Sequence, residues 1–433
     1  MLSPLASPLA GTPDSASVDQ QRVLARVARR FIPLAFVCYV IAYLDRVNVG
    51  FVANDLKRDL GLGATAYGVA AGLFFLGYSL FEVPSNLILE RVGARRWIAR
   101  IMITWGLVAM ATMFVRSAGT FMVARVLLGV AEAGFFPGMV LFFTYWFPAS
   151  ERARTGALFM MAAPVAVIVG APLSTWVMRL DGIAGLRGWQ WLFLIEGLPA
   201  VILGLVVLKV LSDQPEDAKW LSAAERALLK RRMEDDRAAR KPVGDGTIDD
   251  LFTSRALWLL CAVFFLNSIV NYAIFLWLPK LIGDVTKLEG FALSAATAIP
   301  FAVALGAMVF VGRASDRRGE RRRFVAACAL ATAAGLVVAL VFQRQIWALV
   351  LGFAIAQIGL RSFAGVFWAM PAELLGTAGA AAGIGLINAV GGVGGFVGPT
   401  LMGVLLDATG GYTGGLLALA GVLVLEAILV LRT

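Results

Sequence analysis

Twelve long apolar segments, separated by polar stretches, dominate the sequence. They run at about 32–53, 65–89, 97–115, 120–146, 153–178 and 189–210, and then at about 256–281, 291–312, 324–342, 346–370, 376–406 and 412–431. Each is long enough to cross a bilayer as a helix, and none alternates in polarity as a membrane barrel strand does. Because backbone groups in lipid must be bonded internally, the pattern predicts an all-α integral membrane protein with about 12 transmembrane helices.

A polar stretch at 211–255 divides these segments into six and six. It carries charges of both signs, and residues 219–237 within it predict one amphipathic helix. We therefore predict a cytoplasmic N-terminal tail (1–30), an N-terminal six-helix bundle (31–210), a cytoplasmic linker (211–255) and a C-terminal six-helix bundle (256–433). Residues 1–20 are rich in Ser, Pro and Ala, which indicates a disordered start to the tail.

The composition and charge agree with a membrane protein. The chain is 60% hydrophobic and 15% charged, which excludes a soluble globular domain. Its net charge of +10 comes from Lys and Arg in the tail, the linker and alternate loops. By the positive-inside rule, both termini lie in the cytoplasm and the chain crosses the inner (plasma) membrane several times. The basic residues are too scattered for a nucleic-acid surface, so we expect the lipid bilayer as partner, no nucleic acid, and a monomer.

Two loops repeat one motif at a constant offset, which predicts two pseudo-symmetric six-helix halves. The first copy contains Glu90, Arg91 and Gly93 before an arginine pair, and the second contains Gly312, Asp316, Arg317 and Gly319 before another pair. The glycines after the acids permit tight turns, and the acids suit a helix N-terminus. With the arginines they predict a charged hook that can hold one bundle against the other.

These loops resemble the signature of the major facilitator superfamily. The second copy matches in full, whereas the first carries Asn86 for Gly and Glu90 for Asp. That departure, together with YLDRVNVG from Tyr43, GYSLFEVPSN from Gly77 and RVLLGVAEAGFFPG from Arg125, is similar to the anion:cation symporter family. Bacterial members of that family include galactonate, tartrate, glucarate and phthalate transporters. The resemblance covers about residues 30–431 and implies the major facilitator fold and organic-anion transport.

The first apolar segment contains charges that are costly in lipid and therefore indicate function. Tyr39, Tyr43 and Arg46 follow at i, i+4 and i+7, so they share one helix face. Asp45 points about 100° away, on the side of Asn48. An arginine fork suits a carboxylate ligand because it donates two parallel hydrogen bonds. A local ion pair between Asp45 and Arg46 is the structural alternative.

The fourth segment presents Arg125, Gly129 and Glu132 on one face, again at i, i+4 and i+7. The glycine permits a close helix approach, and Arg125 is a candidate structural tether to Asp45 or Glu132. The chain contains no histidine, so carboxylates must carry any proton that is exchanged near neutral pH. Asp45 and Glu132 are the best-placed pair.

The family resemblance implies matching roles. It implies Asp45 and Glu132 as proton-coupling residues, Arg46 as the substrate anchor, and Trp368 and Asn388 as residues that close over the substrate. In the mechanism that we expect, a substrate anion neutralises Arg46, loosens its hold on Asp45 and so favours protonation of that acid.

Five further residues complete the candidates. We predict that Tyr78 contributes a hydroxyl group to the substrate pocket. Asn271 and Tyr272, neighbours on the seventh segment, are predicted to line the same pocket. Glu82 stands four residues after Tyr78 and is interpreted as a structural acid. Arg361 has two possible interpretations, a second carboxylate site or a position in the outer vestibule.

The sequence lacks the motifs of several other functional classes. The chain has no phosphate-cradling Walker loop, no Cys/His metal cluster and no histidine for a nucleophilic triad. We therefore predict no enzyme, metal or cofactor, with protons as the coupling ion. The predicted function is proton-coupled import of a small organic carboxylate (a sugar acid, hydroxy-dicarboxylate or aromatic acid) by alternating access. Anion exchange or efflux, or a non-transporting nutrient sensor, remain alternatives.

Overall fold

The computed structural model describes residues 13–238, 253–374 and 376–433. In this part of the chain, twelve helices are long and apolar enough to span a membrane, and we number them α1 to α12. Their spanning segments are α1 (Gln20–Phe51), α2 (Ala64–Val92), α3 (Ala94–Phe114), α4 (Ala118–Trp146), α5 (Ala149–Met178), α6 (Gly188–Val210), α7 (Arg255–Thr286), α8 (Gly290–Ser315), α9 (Arg321–Val341), α10 (Ile346–Phe367), α11 (Gly383–Thr409) and α12 (Tyr412–Val430). The prediction of an all-α membrane protein with about 12 transmembrane helices is confirmed.

The linker contains the predicted amphipathic helix, which spans Ala223–Ala238. It packs on the N-terminal half, where Arg26 of α1 bonds Glu225 at 2.7 Å and Arg152 of α5 bonds Asp236 at 3.1 Å. Residues 239–252 of the predicted linker lie outside the described residues. Six spanning helices lie on each side of the linker, and the predicted domain boundaries stay a prediction.

The predicted disordered tail is wrong in part. Residues 13–20 continue α1 in the N-terminal direction, so that the whole helix runs from Pro13 to Phe51, and residues 1–12 lie outside the described residues. Proline suits the first position of a helix because the N–H that it lacks has no partner there.

A break in α4 lies directly after Glu132. The helix stops at Glu132 and resumes at Phe135, and Gly134 between them has a φ of 86°. A Cβ at Gly134 would lie 2.7 Å from the Cβ of Ser85 on α2. Glycine is therefore required both by the left-handed backbone and by the close approach of α2.

The two halves meet at the end of the bundle that lies away from the linker, which we call the opposite end. Here α2 packs on α11, α5 on α8 and α1 on α7. Several hydrogen bonds join the halves at this end, among them Lys280 Nζ to Asn54 Oδ1 at 2.7 Å, Thr65 N to Asp407 Oδ2 at 2.8 Å, Ser294 Oγ to the Ala171 carbonyl at 2.9 Å, and Tyr67 Oη to the Leu276 carbonyl at 3.1 Å. The opposite end is thus closed.

The signature loops lie at the other end, which we call the linker end. The backbone N–H of Arg95 donates to Asp213 at 2.7 Å, and its Nε donates to the Leu208 carbonyl at 2.6 Å. The first loop is therefore held by α6 and the linker of its own half. The predicted hook between the bundles stays a prediction, because the side chain of Asp316 lies outside the described part of the chain.

The acids of the signature loops lie inside helices. We expected them at helix N-termini, but α2 continues to Val92, so Glu90 occupies its last turn and, like Arg91, is exposed. The backbone of Asp316 is helical in the same way, and its side chain lies outside the described part of the chain. The turns follow at Gly93 and Gly319, which have φ values of 95° and 69°, as predicted for tight turns. Arg317 is exposed and Gly312 is partly buried.

Candidate functional site

A central cavity of about 480 Å³ lies between the two halves. Its walls include the beginning of α5 and the last turns of α8, which belong to the linker end of the bundle, so the cavity extends from the middle of the bundle toward that end. All seven predicted substrate residues line it: Tyr43, Arg46, Tyr78, Asn271, Tyr272, Trp368 and Asn388. The structure thus brings together side chains that are hundreds of residues apart.

The two faces of α1 have the division that the spacing predicts. Tyr39, Tyr43 and Arg46 line the cavity, and the rings of the two tyrosines are 4.9 Å apart. Asp45 and Asn48 lie behind this face, each 1% exposed. One helix therefore presents a cation to the cavity and holds a carboxylate in the protein interior.

Arg46 pairs with Glu132 of α4. Its Nη2 donates to Glu132 Oε1, and the guanidinium also lies 5.1–5.2 Å from the ring centres of Tyr43, Phe74 and Tyr78. Glu132 is fully buried, and its second oxygen has no hydrogen-bond partner in the described residues. Removing the arginine would therefore leave an uncompensated charge in the interior.

The predicted contact between Arg46 and Asp45 is wrong in this structure. Asp45 instead accepts a hydrogen bond from Nε1 of Trp105 on α3 at 2.8 Å. The reason is the helical step, because neighbouring residues on a helix point about 100° apart and so reach different helices. A buried tryptophan needs an acceptor for its N–H, but the sequence alone does not show which acid lies across from Trp105.

Arg125 is buried beside these acids without forming an ion pair with either. It is 1% exposed and lies 5.1 Å from the ring centre of Phe74, and its Nε and Nη1 have no hydrogen-bond partner in the described chain. The predicted tether to Asp45 or Glu132 is therefore not made as a direct bond. Its neighbour Gly129 packs where a Cβ would lie 2.9 Å from the Tyr78 nitrogen, which confirms the predicted close helix approach.

Glu82 belongs to the cavity. It lines the wall beside Tyr78 and accepts a hydrogen bond from Asn388 Nδ2 of α11 at 2.7 Å. This bond joins the two halves at the cavity itself. The sequence interpretation of Glu82 as a structural acid missed this contact, because it depends on how α2 and α11 face each other.

Arg361 also lines the cavity, which excludes the alternative of an outer vestibule. Its Nη2 donates to Asn271 Oδ1, and its Nε donates to Gln357 Oε1 at 3.2 Å. Nearby, the Tyr272 ring centre lies 4.0 Å from that of Phe75 of the other half. The C-terminal wall of the cavity thus carries its own cation, held by amides.

Two further buried acids lie outside the cavity wall. Glu196 of α6 accepts a hydrogen bond from Ser174 of α5 at 2.9 Å, which joins these two helices. Glu426 of α12 accepts one from Asn267, a cavity residue of α7, at 3.2 Å. The sequence interpretation did not identify Glu426, whose only signal is an acid in an apolar segment.

Comparisons with known proteins agree with this architecture. The family model described as the Major Facilitator Superfamily matches residues 35–383 and 290–433. A protein of Agrobacterium vitis, named for proposed tartrate transport, is 45% identical over 412 residues, which are 95% of this chain and 91% of that protein. The metabolite transport protein NicT of Pseudomonas putida is 41% identical, with 94% and 93% covered.

Among solved structures, a bacterial homologue of the human lysosomal transporter Spinster, in an inward-facing and occupied conformation, matches with a TM-score of 0.74. The match covers 98% of this chain and 97% of that one at 15% identity, which shows a shared fold. With the family match across nearly the whole chain, these findings identify this protein as a multi-pass membrane transporter, not an enzyme, that belongs to the Major Facilitator Superfamily.

Proposed function

We propose that this transporter imports a small organic carboxylate together with protons by alternating access. The observation that carries the proposal is the pairing of Arg46, a residue of the cavity wall, with the buried acid Glu132. A guanidinium beside the cavity can bind a carboxylate, and its present partner is an acid that a proton can neutralise. Substrate and proton can therefore act on the same ion pair.

The names of the relatives support the substrate class. One relative is named for tartrate transport, and tartrate is a small hydroxy-dicarboxylate. A fork-shaped donor such as Arg46, with the rings of Tyr43 and Tyr78 beside it, suits such an anion. Sugar acids and aromatic acids carry the same carboxylate and remain within the proposed class.

Coupling follows from competition for Arg46. While Glu132 is ionised, it occupies the guanidinium. Protonation of Glu132 removes that attraction and frees Arg46 for the substrate carboxylate, so proton and substrate stabilise the same state. Asp45, buried behind α1 and bonded to Trp105, is the proposed second proton site.

Alternating access is consistent with the two ends of the bundle. The opposite end is closed by contacts between the halves, and the cavity extends toward the linker end. If the linker end is cytoplasmic, as the distribution of basic residues favours, the structure is inward-facing with both termini in the cytoplasm of a bacterial inner membrane. The transporter is proposed to act as a monomer.

Transport into proteoliposomes tests this proposal. With a proton gradient as the only driving force, we expect the parent protein to accumulate tartrate or another small carboxylate. D45N and E132Q should reduce the accumulation ratio to about 1, because coupling requires a proton-dependent difference between states. Both variants should retain exchange of labelled for unlabelled substrate, which needs no net proton movement.

The matched control is E234Q, which changes an exposed acid of the linker helix in the same way. We expect it to accumulate substrate like the parent. Proton-driven accumulation by both D45N and E132Q at the parental level would contradict the coupling mechanism. Exchange without proton-driven accumulation in the parent itself would show an exchanger instead.

A further inference from the structure

The cavity contains a second cation that has no acid partner. Arg361 is partly buried within α10, and its two hydrogen bonds in the described structure go to the neutral amides of Asn271 and Gln357. Among the described residues it forms no salt bridge, whereas Arg46 pairs with Glu132. The positive charge of Arg361 is thus compensated by dipoles alone.

The two amides hold the guanidinium in a fixed orientation. Nε and Nη2 of Arg361 are engaged, and Nη1 has no hydrogen-bond partner in the described part of the chain. The ring centre of Phe301 lies 5.7 Å from the guanidinium carbon. A charge in a low-dielectric interior is costly without a counter-ion, so a cation with only neutral partners is prepared to bind an anion.

Arg46 and Arg361 face the same cavity from different halves of the protein. Arg46 is on α1 of the N-terminal half, and Arg361 is on α10 of the C-terminal half. Tyr43 and Tyr272 line the same cavity as both arginines, so the two cations share one polar region. The cavity of about 480 Å³ has the size of a small-ligand site.

We propose that the transported anion is a dicarboxylate, with one carboxylate bound by Arg46 and the other by Arg361. This inference rests on the proposed function and narrows its substrate class. A dianion that binds both arginines joins the two halves through the substrate itself. A monocarboxylate binds only one of the two arginines, so the arginine of the other half makes no contact with a carboxylate. Arg361 therefore determines the specificity for dicarboxylates over monocarboxylates.

Matched pairs of acids that differ by one carboxylate test the assignment. Tartrate is compared with threonate, which has a hydroxymethyl group in place of the second carboxylate; glucarate is compared with gluconate, and phthalate with benzoate. Affinity is measured by calorimetry on the purified full-length protein, and uptake is measured in proteoliposomes. We expect the parent to prefer the dicarboxylate in at least one pair.

In that pair, R361Q should weaken binding of the dicarboxylate about 10- to 100-fold, as expected for the loss of a hydrogen bond to a charged group. Binding of the monocarboxylate should change by less than about threefold, which is the size expected for a substitution at a residue that does not contact the ligand. R361K, which keeps the charge without the fork, should lie between R361Q and the parent. R313Q removes the same charge from an exposed residue of the cavity wall and should affect both acids alike.

The possible outcomes separate the two proposals. If R361Q weakens both members of every pair equally, or if the parent prefers the monocarboxylate throughout, Arg361 does not bind a second carboxylate and the proposed function remains. A selective loss in R313Q as large as in R361Q would also overturn the assignment. If R361Q does not fold, R361K decides the question. A weaker preference for the dicarboxylate than in the parent supports the assignment, and an unchanged preference overturns it. Failure of the parent to bind or transport any of the six acids would contradict the proposed function itself.

Discussion

Replacement of Arg46 by Gln is expected to abolish carboxylate uptake and to destabilise the protein. Arg46 is the cavity cation beside Tyr43 and Tyr78 and the only ion-pair partner of the fully buried Glu132 in the described chain. Removing one member of such a buried charge contact costs about 2–5 kcal/mol in binding, which corresponds to a loss of affinity of roughly 30-fold or more. The unpaired Glu132 adds a stability cost of about 3–5 kcal/mol unless it takes up a proton.

A double variant separates the two effects. R46Q/E132Q removes both charges, so we expect its melting temperature to recover most of the loss seen in R46Q, while carboxylate binding stays lost. R46K keeps the charge without the planar fork and should bind with intermediate affinity. Binding by R46Q within a few-fold of the parent, measured by calorimetry on protein that elutes as a single species, would exclude Arg46 as the substrate anchor.

The fold could be predicted from the sequence because the bilayer imposes a simple rule on it. A spanning helix needs about 20 apolar residues, and every predicted segment has its helix in the structure. The division of α1 into a cavity face and a buried face could also be predicted from the sequence, because helical spacing alone places Arg46 and Asp45 on different sides. Properties of single helices are thus encoded locally.

Partners across helices are not encoded in this way. Arg46 bonds Glu132 rather than Asp45, Asp45 bonds Trp105, and Glu82 reaches Asn388. Each choice depends on the rotation and depth of two helices, which are set by packing over the whole bundle. The family resemblance implied substrate roles for Arg46, Trp368 and Asn388, but it did not supply these pairings or the amide partners of Arg361.

The second large effect is expected at Gly72, where α2 packs on α11 near the opposite end. A Cβ at this position would lie 2.8 Å from the Phe396 carbonyl oxygen and 3.0 Å from the Phe396 Cα. Both are backbone atoms of α11, so no side chain can move away to make room. Overpacking of this kind costs about 1–3 kcal/mol, which changes a conformational equilibrium roughly 5- to 150-fold.

G72V should therefore hold the opposite end apart and disfavour the structure described here. We expect uptake to fall by at least about fivefold, the lower limit of that equilibrium change, although Gly72 is absent from the cavity wall. Spin labels on cysteines that replace Lys57 and Glu289, exposed residues of the two halves at the opposite end, should report longer distances in G72V than in the parent.

The matched control is G306V on α8, where an added Cβ meets nothing within 4 Å. It introduces the same side chain into a spanning helix at an exposed position, so uptake and label distances should stay at the parental values. If G72V transports like G306V, close approach of α2 and α11 is not required for the transport cycle. If uptake falls in G72V while the label distances stay unchanged, the defect lies in the cavity and not in closure of the opposite end.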